Sequence, residues 1–170
     1  MPMIHQNVRR HSTFMKITYL IPVLAVVLLT SCAPTPQQLA SEGATAFIAK
    51  DYTKAQTLAR QATSIDPKFA EAWVSYGMAS VRLGETDQAR AAYEQALSLH
   101  QARHLQNPSD ANQVIQQIFL LTLLGRQAEA ETLLKQAQTD YSSDQQIKEL
   151  AGDFTAMKQG WQSLMVEMKP

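Results

Sequence analysis

The chain contains an internal repeat of 34 residues. Two segments align at that offset, and the alignment pairs glycine with glycine and alanine with alanine: Gly43 with Gly77, Ala55 with Ala89, and Ala62 with Ala96. A repeat of this length is typical of stacked supersecondary units, because a single unit cannot bury both of its faces. The sequence therefore predicts an array of similar units that share a continuous core.

Apolar side chains recur at helical spacing in both segments. Leu58, Ala62 and Ile65 fall on one helical face, and Ala89 and Ala96 fall on another. This period of about 3.6 residues favours α-helices over strands. The array is therefore predicted to be all-α.

The two segments resemble the tetratricopeptide repeat (TPR), a 34-residue helix-turn-helix unit. The second segment matches the family positions best, with Trp73, Gly77, Gly84, Ala89, Tyr93 and Ala96. The first keeps Gly43, Ala55, Ala62 and Pro67, and a degenerate third repeat keeps Gly125, Ala130 and Ala137. The resemblance covers residues 36–142. It implies a short TPR-type α-solenoid of about three helix pairs over 37–142, closed by a C-terminal capping helix or helices over 143–170.

The third repeat follows the second by 41 residues, so seven residues are inserted between Gly84 and Gly125. Residues 103–110, which include an Asn-Pro pair, predict a loop that carries this insertion. His100 and His104 lie four residues apart, on one helical face just before it. Two histidines are too few ligands for a metal site, so we expect a solvated face and neither a metal nor another cofactor.

The N-terminal segment has the order of a bacterial lipoprotein signal. Lys16 precedes 13 almost wholly apolar residues at positions 17–29, a run shorter than the roughly 20 residues that span a bilayer. The next residues, Leu29-Thr-Ser-Cys32, resemble a lipobox. The resemblance implies a signal peptide over 1–31, lipidation (including palmitate) of Cys32 and a lipid-anchored tether over 32–36. Translation from Met1, Met3 or Met15 is left open.

In Gram-negative lipoproteins, which this segment resembles, an aspartate after the lipidated cysteine retains the protein at the inner membrane. Here that residue is Ala33. The resemblance therefore implies an outer-membrane protein that faces the periplasm.

Charge and composition argue against several other functions. Three of the 15 basic residues precede Cys32 and no acid does, so the processed chain has 12 bases against 15 acids, a net charge of −3. A mildly acidic domain has no electrostatic attraction for a phosphate backbone, so we expect no nucleic-acid binding. The single cysteine excludes an internal disulfide. No nucleophile elbow, catalytic triad order or glycine-rich phosphate loop is present, so we expect no enzymatic activity.

The TPR resemblance also implies a binding surface, because the first helices of successive pairs line a concave groove in that family. The corresponding positions here are Ala44, Phe47, Ile48, Ser75, Met78, Arg82, Gln116, Phe119 and Leu123. Arg82 is the one least suited to a core, and a guanidinium there is able to meet a carboxylate of a partner.

Lipoproteins with TPRs include the TadD-type assembly proteins of tight-adherence (Flp) pili, which this chain resembles in architecture. The resemblance implies a protein-binding scaffold for an envelope machine, such as a Flp or type IV-like pilus or a secretin. The alternatives are an adaptor for periplasmic cell-wall enzymes or peptidases, and a self-associating structural module. The identity of the partner, the envelope system and the oligomeric state, including a homo-oligomer, stay open.

Overall fold

The structure is a computed structural model that describes residues 33–154, and within this range it contains helices and turns but no strand. Six helices lie consecutively along the chain: α1 Pro36–Ile48, α2 Tyr52–Ile65, α3 Ala70–Arg82, α4 Thr86–Gln106, α5 Ala111–Leu123 and α6 Gln127–Asp140. Each helix packs against the next one in sequence. The result is three helix pairs in series, so the predicted all-α solenoid of about three pairs is confirmed.

The three pairs share the same turn between their first and second helices. In each turn one residue has a positive φ: 63° at Lys50, 76° at Gly84 and 74° at Gly125. The amide N–H of the following residue donates to the carbonyl oxygen five residues earlier, with distances of 2.9, 2.9 and 2.8 Å. The N–H of the positive-φ residue itself donates to the carbonyl three residues earlier. This pattern is a Schellman motif, which ends a helix with a left-handed residue.

Close approach within the second pair depends on Gly77. A Cβ atom on Gly77 would lie 2.4 Å from the Tyr93 ring, so the ring occupies the space that any larger residue would need. Tyr93 is only 4% exposed. The glycine in α3 therefore allows the aromatic ring of α4 to fill the interior of this pair.

The predicted loop over residues 103–110 is wrong in its first part. Helix α4 continues to Gln106 and has 21 residues, whereas α2 and α6 have 14 each. The insertion therefore adds two helical turns. Arg103, in the added part, donates from Nη2 to the Lys68 carbonyl oxygen at 2.9 Å and from Nη1 to Glu71 at 3.1 Å. These contacts to the start of α3 hold the extension in place.

Helix α5 is the most buried of the six helices. Its apolar side chains extend around most of the helix, and those that are buried are Ala111, Val114, Ile118, Leu120, Leu121 and Leu123. A helix that is apolar on most sides packs against neighbours on most sides. The buried side chains of α5 join the largest core cluster of the described residues, together with side chains of α4 and α6 and with Ile147.

Residues 145–154 form a further helical segment after α6. The Asp144 carboxylate accepts a hydrogen bond from the Ile147 amide at 3.0 Å and so caps its start. Ile147 and Phe154 are buried in the main core cluster. This segment covers the last pair as the predicted cap would, and the remainder of that prediction, residues 155–170, lies outside the described residues.

Helix α1 begins at Pro36, the first position of a helix, where proline is well tolerated. Thr35 caps it in a capping box with Gln38. Pro36, which the predicted tether over 32–36 includes, therefore already belongs to α1. The predicted signal peptide and the predicted lipidation site Cys32 lie outside the described residues.

Candidate protein-binding groove

The first helices of the first two pairs define one side of the solenoid. The backbones of α1 and α3 approach each other closely, whereas those of α2 and α4, the second helices of the same pairs, stay further apart and are joined by a side-chain hydrogen bond from Gln56 Nε2 to Gln88 Oε1 at 3.4 Å. The pairs are therefore closer together on the α1–α3 side than on the α2–α4 side. This asymmetry makes the α1–α3 side the inner, concave one.

A small apolar pocket of about 160 Å³ opens between α1 and α3. Its lining consists of Gly43, Ala44, Phe47, Ile48, Ala55, Ser75 and Met78. Five of the nine predicted groove residues thus come together at one place, two from α3 and three from α1. The two other lining residues are Gly43 and Ala55, which the repeat pattern identified only as packing positions.

Several lining side chains are open to solvent. Ile48 is 82% exposed and Met78 is 36% exposed, whereas Phe47 is half-buried. The only lining side chain with a polar atom is that of Ser75, and its hydroxyl already donates to the Glu71 carbonyl oxygen at 3.0 Å. The pocket therefore presents almost only apolar surface.

Arg82 lies on α3 one turn after Met78 and is exposed. Its guanidinium carbon lies 5.9 Å from the centre of the Tyr52 ring, within the range of a cation–π contact. Tyr52 in turn meets Phe47 edge to face, with ring centres 5.2 Å apart. Arg82 is thus held beside the pocket through two aromatic rings, and Tyr52 is a site residue that the groove positions did not include.

The charge of Arg82 also affects the interior of its own pair. Burial raises the pKa of the Tyr93 hydroxyl, and the nearby positive charge of Arg82 opposes this shift only in part. The hydroxyl therefore stays protonated over the whole physiological range. Tyr93 is a packing residue and carries no charge that would neutralise Arg82.

The three groove positions predicted in the third repeat do not join the pocket. Leu123 is 5% exposed and packs in the main core cluster. Phe119 packs against the same cluster, and Gln116 is half-buried. The backbones of α3 and α5 do not approach each other as closely as those of α1 and α3 do. The groove geometry of the first two pairs is therefore not continued between the second and the third.

The expectation of a solvated face at His100 is wrong, because the added turns of α4 pack against α5. His100 is 2% exposed, and its Nδ1 lies 2.9 Å from Oε1 of Gln113. The Gln113 amide nitrogen donates to the Asp110 carboxylate at 2.8 Å, which turns its oxygen towards the histidine. His100 thus donates from Nδ1 to a buried amide. No cluster of three or more metal-ligating side chains occurs among residues 33–154.

One protein family and two solved structures resemble this chain. A tetratricopeptide repeat family model matches residues 46–107. The type III secretion translocator chaperone SycD of Yersinia enterocolitica is similar in structure, with 20% identity and a TM-score of 0.51 over 77% of this chain and 94% of that chain. A chain of the CopN–Scc3 complex has 21% identity and a TM-score of 0.47 over 81% of this chain and 73% of its own. No curated protein matches the sequence significantly.

The matched repeat model and the paired helices together identify an all-α, TPR-type solenoid. The match includes all of α2, α3 and α4, and five of the seven residues that line the pocket fall within it. Within residues 33–154, no helix combines the length and the apolar character needed to cross a bilayer.

Proposed function

We propose that this protein is a protein-binding scaffold and that the pocket between α1 and α3 receives a segment of its partner. The observation that carries this proposal is the apolar pocket itself, with Ile48 and Met78 left open to solvent on the concave side. Concave apolar surface is where proteins most often bind ligands. Burying an exposed side chain of this size contributes about 1.5–3 kcal/mol, so a partner that covers both gains appreciable affinity.

The same pocket is poorly suited to catalysis. No lining residue carries an acidic or basic side chain. Acid–base chemistry requires a titratable group within hydrogen-bond reach of the reacting atom. A role in binding therefore accounts for the surface better than an enzymatic one.

We further propose that the scaffold is tethered by lipid on Cys32 to the outer membrane and faces the periplasm. Support comes from the basic segment, the apolar run of 13 residues and the lipobox-like Leu29-Thr-Ser-Cys32, followed by Ala33. Two or more acyl chains make a stable anchor, because each buried CH₂ contributes roughly 0.8 kcal/mol. Such a tether concentrates the solenoid at one membrane.

The larger assembly that fits these features best is an envelope machine such as a Flp or type IV-like pilus or its secretin. The support is the architectural resemblance to the TadD-type lipoproteins, a small TPR array behind a lipobox. An adaptor for cell-wall enzymes has the same architecture, so the partner itself distinguishes these two roles.

The proposal is tested by in-cell crosslinking of a C-terminally tagged protein, followed by mass spectrometry of the outer-membrane fraction. The wild type is compared with Met78→Asp, which places a carboxylate in the pocket. Leu105→Asp is the matched control, because Leu105 is 80% exposed on α4 and lies outside the pocket lining. Cys32→Ser reports on the anchor through loss of fatty-acid labelling and of membrane attachment.

We expect a secretin or another pilus component to be recovered with the wild type and Leu105→Asp but not with Met78→Asp. Recovery of murein enzymes with the same dependence on Met78 would retain the scaffold and replace the pilus role. A set of partners that is identical for all three proteins would refute binding through the pocket. Membrane attachment that survives Cys32→Ser would refute the lipid anchor.

A further inference from the structure

We propose that the pocket and Arg82 form a two-part site for a partner segment that carries an apolar side chain close to a carboxylate. The apolar side chain enters the pocket between α1 and α3, and the carboxylate binds the guanidinium of Arg82. This inference rests on the proposed function and specifies the chemistry of the partner.

Arg82 lies beside the pocket. Arg82 follows Met78 by one turn of α3, and Met78 lines the pocket. From the other side, Arg82 lies over Tyr52, and the Tyr52 ring touches Phe47, which also lines the pocket. Two independent contacts therefore place the guanidinium at one end of the apolar lining.

The charge of Arg82 favours a carboxylate as its ligand. The ion pairs between described residues join Arg103 with Glu71 and join Arg126 with Glu94 and Glu129, so Arg82 takes part in none of them. The Tyr52 ring lies 5.9 Å from the guanidinium carbon and offers it no carboxylate. A guanidinium carries its N–H donors in a planar fork that matches the two oxygens of a carboxylate. The guanidinium of Arg82 is therefore a cation beside the pocket, and its N–H groups are suited to bind the carboxylate of a partner.

The size of the pocket limits the apolar part of the ligand. Its volume is about 160 Å³, and an apolar cavity of about 150 Å³ holds one benzene molecule. One leucine, isoleucine, methionine or phenylalanine side chain is the appropriate occupant. A whole amphipathic helix face would need a longer groove, and the third repeat does not extend this one because Leu123 is buried.

The spacing within the ligand follows from the helix. Met78 and Arg82 are separated by about 6 Å along α3, because each of the four residue steps between the two positions adds about 1.5 Å. An extended peptide advances about 3.3 Å per residue and places every second side chain on the same side. The carboxylate therefore lies two residues from the apolar anchor and belongs to an Asp or Glu side chain of the partner.

Selection from displayed random nonapeptides tests this inference, with the full-length lipoprotein in detergent as the target. Two libraries are used, one with the peptides embedded between flanking residues and one with free C-termini. The target proteins are the wild type, Arg82→Glu, Arg82→Gln and the control Arg60→Glu, since Arg60 is also an exposed arginine but lies on α2 outside the pocket lining. Circular dichroism confirms that each variant is folded.

The wild type and Arg60→Glu should enrich an aliphatic or aromatic residue with an acid two positions away. Arg82→Glu should keep the apolar preference and exchange the acid for Lys or Arg, and Arg82→Gln should lose the charge preference. In a selected peptide, replacing that acid by its amide should weaken binding to the wild type about tenfold or more, because hydrogen bonds to charged groups contribute about 1.5–3 kcal/mol. The acid should be enriched in both libraries. A preference that appears only with free C-termini and is lost on amidation would overturn the assignment to a side chain.

Apolar enrichment without an acid, or an acid preference that Arg82→Glu leaves unchanged, would overturn the two-part site and leave the scaffold role intact. Absence of any enrichment over a blank surface would overturn both the site and the binding function proposed for the pocket.

Discussion

The first two helix pairs and the third pair are built on the same repeat, yet they use their apolar residues differently. In the first two, the side chains of Ile48 and Met78 stay open on the concave side and line a pocket. In the third, Leu123 of α5 stands at the position equivalent to Ile48 and is buried in the main core. Apolar residues at equivalent repeat positions therefore serve as surface in one region and as core in the other. What differs is how many neighbouring helices cover the position.

Truncating one isoleucine in each region should give the largest difference in stability. Ile118 in α5 has an exposed fraction of 0%, so Ile118→Ala removes fully buried contacts and leaves a cavity. We expect a loss of about 2–5 kcal/mol in the free energy of unfolding, measured by urea denaturation monitored by circular dichroism.

The matched variant is Ile48→Ala, because Ile48 is 82% exposed in α1. It should change stability by less than about 0.5 kcal/mol while weakening partner binding. Equal losses for the two variants would mean that the pocket side of α1 is also core, and the comparison between the regions would break down.

Glycine-to-alanine substitutions at the same repeat position should have opposite effects in the first and second pairs. A Cβ on Gly77 would lie 2.4 Å from Tyr93, whereas a Cβ on Gly43 would meet its nearest neighbours at 3.5 Å, an ordinary contact. Gly77→Ala should cost about 1–3 kcal/mol through overpacking. Gly43→Ala should be neutral or stabilise by up to about 1 kcal/mol, because alanine favours helix interiors.

Thermal unfolding of both glycine variants provides the measurement. If Gly77→Ala melts at the wild-type temperature, the Tyr93 ring moves aside without cost. In that case the second pair would not depend on close approach at this position.

The smallest effect is expected at the turns, where the first pair has a lysine and the other two have glycine. Lys50 has a φ of 63°, a conformation that costs an L-residue about 1–2 kcal/mol. Lys50→Gly should therefore stabilise the protein by about 0.5–1 kcal/mol after the loss of backbone entropy. Gly84→Ala, at a φ of 76° with no atom within 4 Å of the added Cβ, should destabilise it by about 1 kcal/mol through backbone strain alone. Chemical denaturation measures the sign of the change in the free energy of unfolding for both variants. A loss of stability on Lys50→Gly would show that the lysine side chain stabilises the turn.

Local patterns predicted much of the fold because they depend on near neighbours in the chain. The 34-residue offset located the helix pairs, and the TPR positions included Gly77 and Gly84, at which the structure has a close approach and a left-handed turn. The TPR positions also brought together residues that do line one pocket, such as Ala44 and Met78. Periodicity and turn chemistry are written into segments of a few residues, so they can be read without the tertiary structure.

Which faces of the helices are buried could not be predicted from the sequence, because burial depends on the tertiary packing. The seven inserted residues extend α4 and bring His100 into contact with α5, so a face with a polar sequence is buried. Leu123 occupies a groove position in the repeat but lies in the core. The contact between Arg82 and Tyr52 joins residues 30 positions apart in different pairs. A helical pattern determines which side chains share a face, but the burial of that face depends on where the next pair lies, and that follows from packing over the whole array.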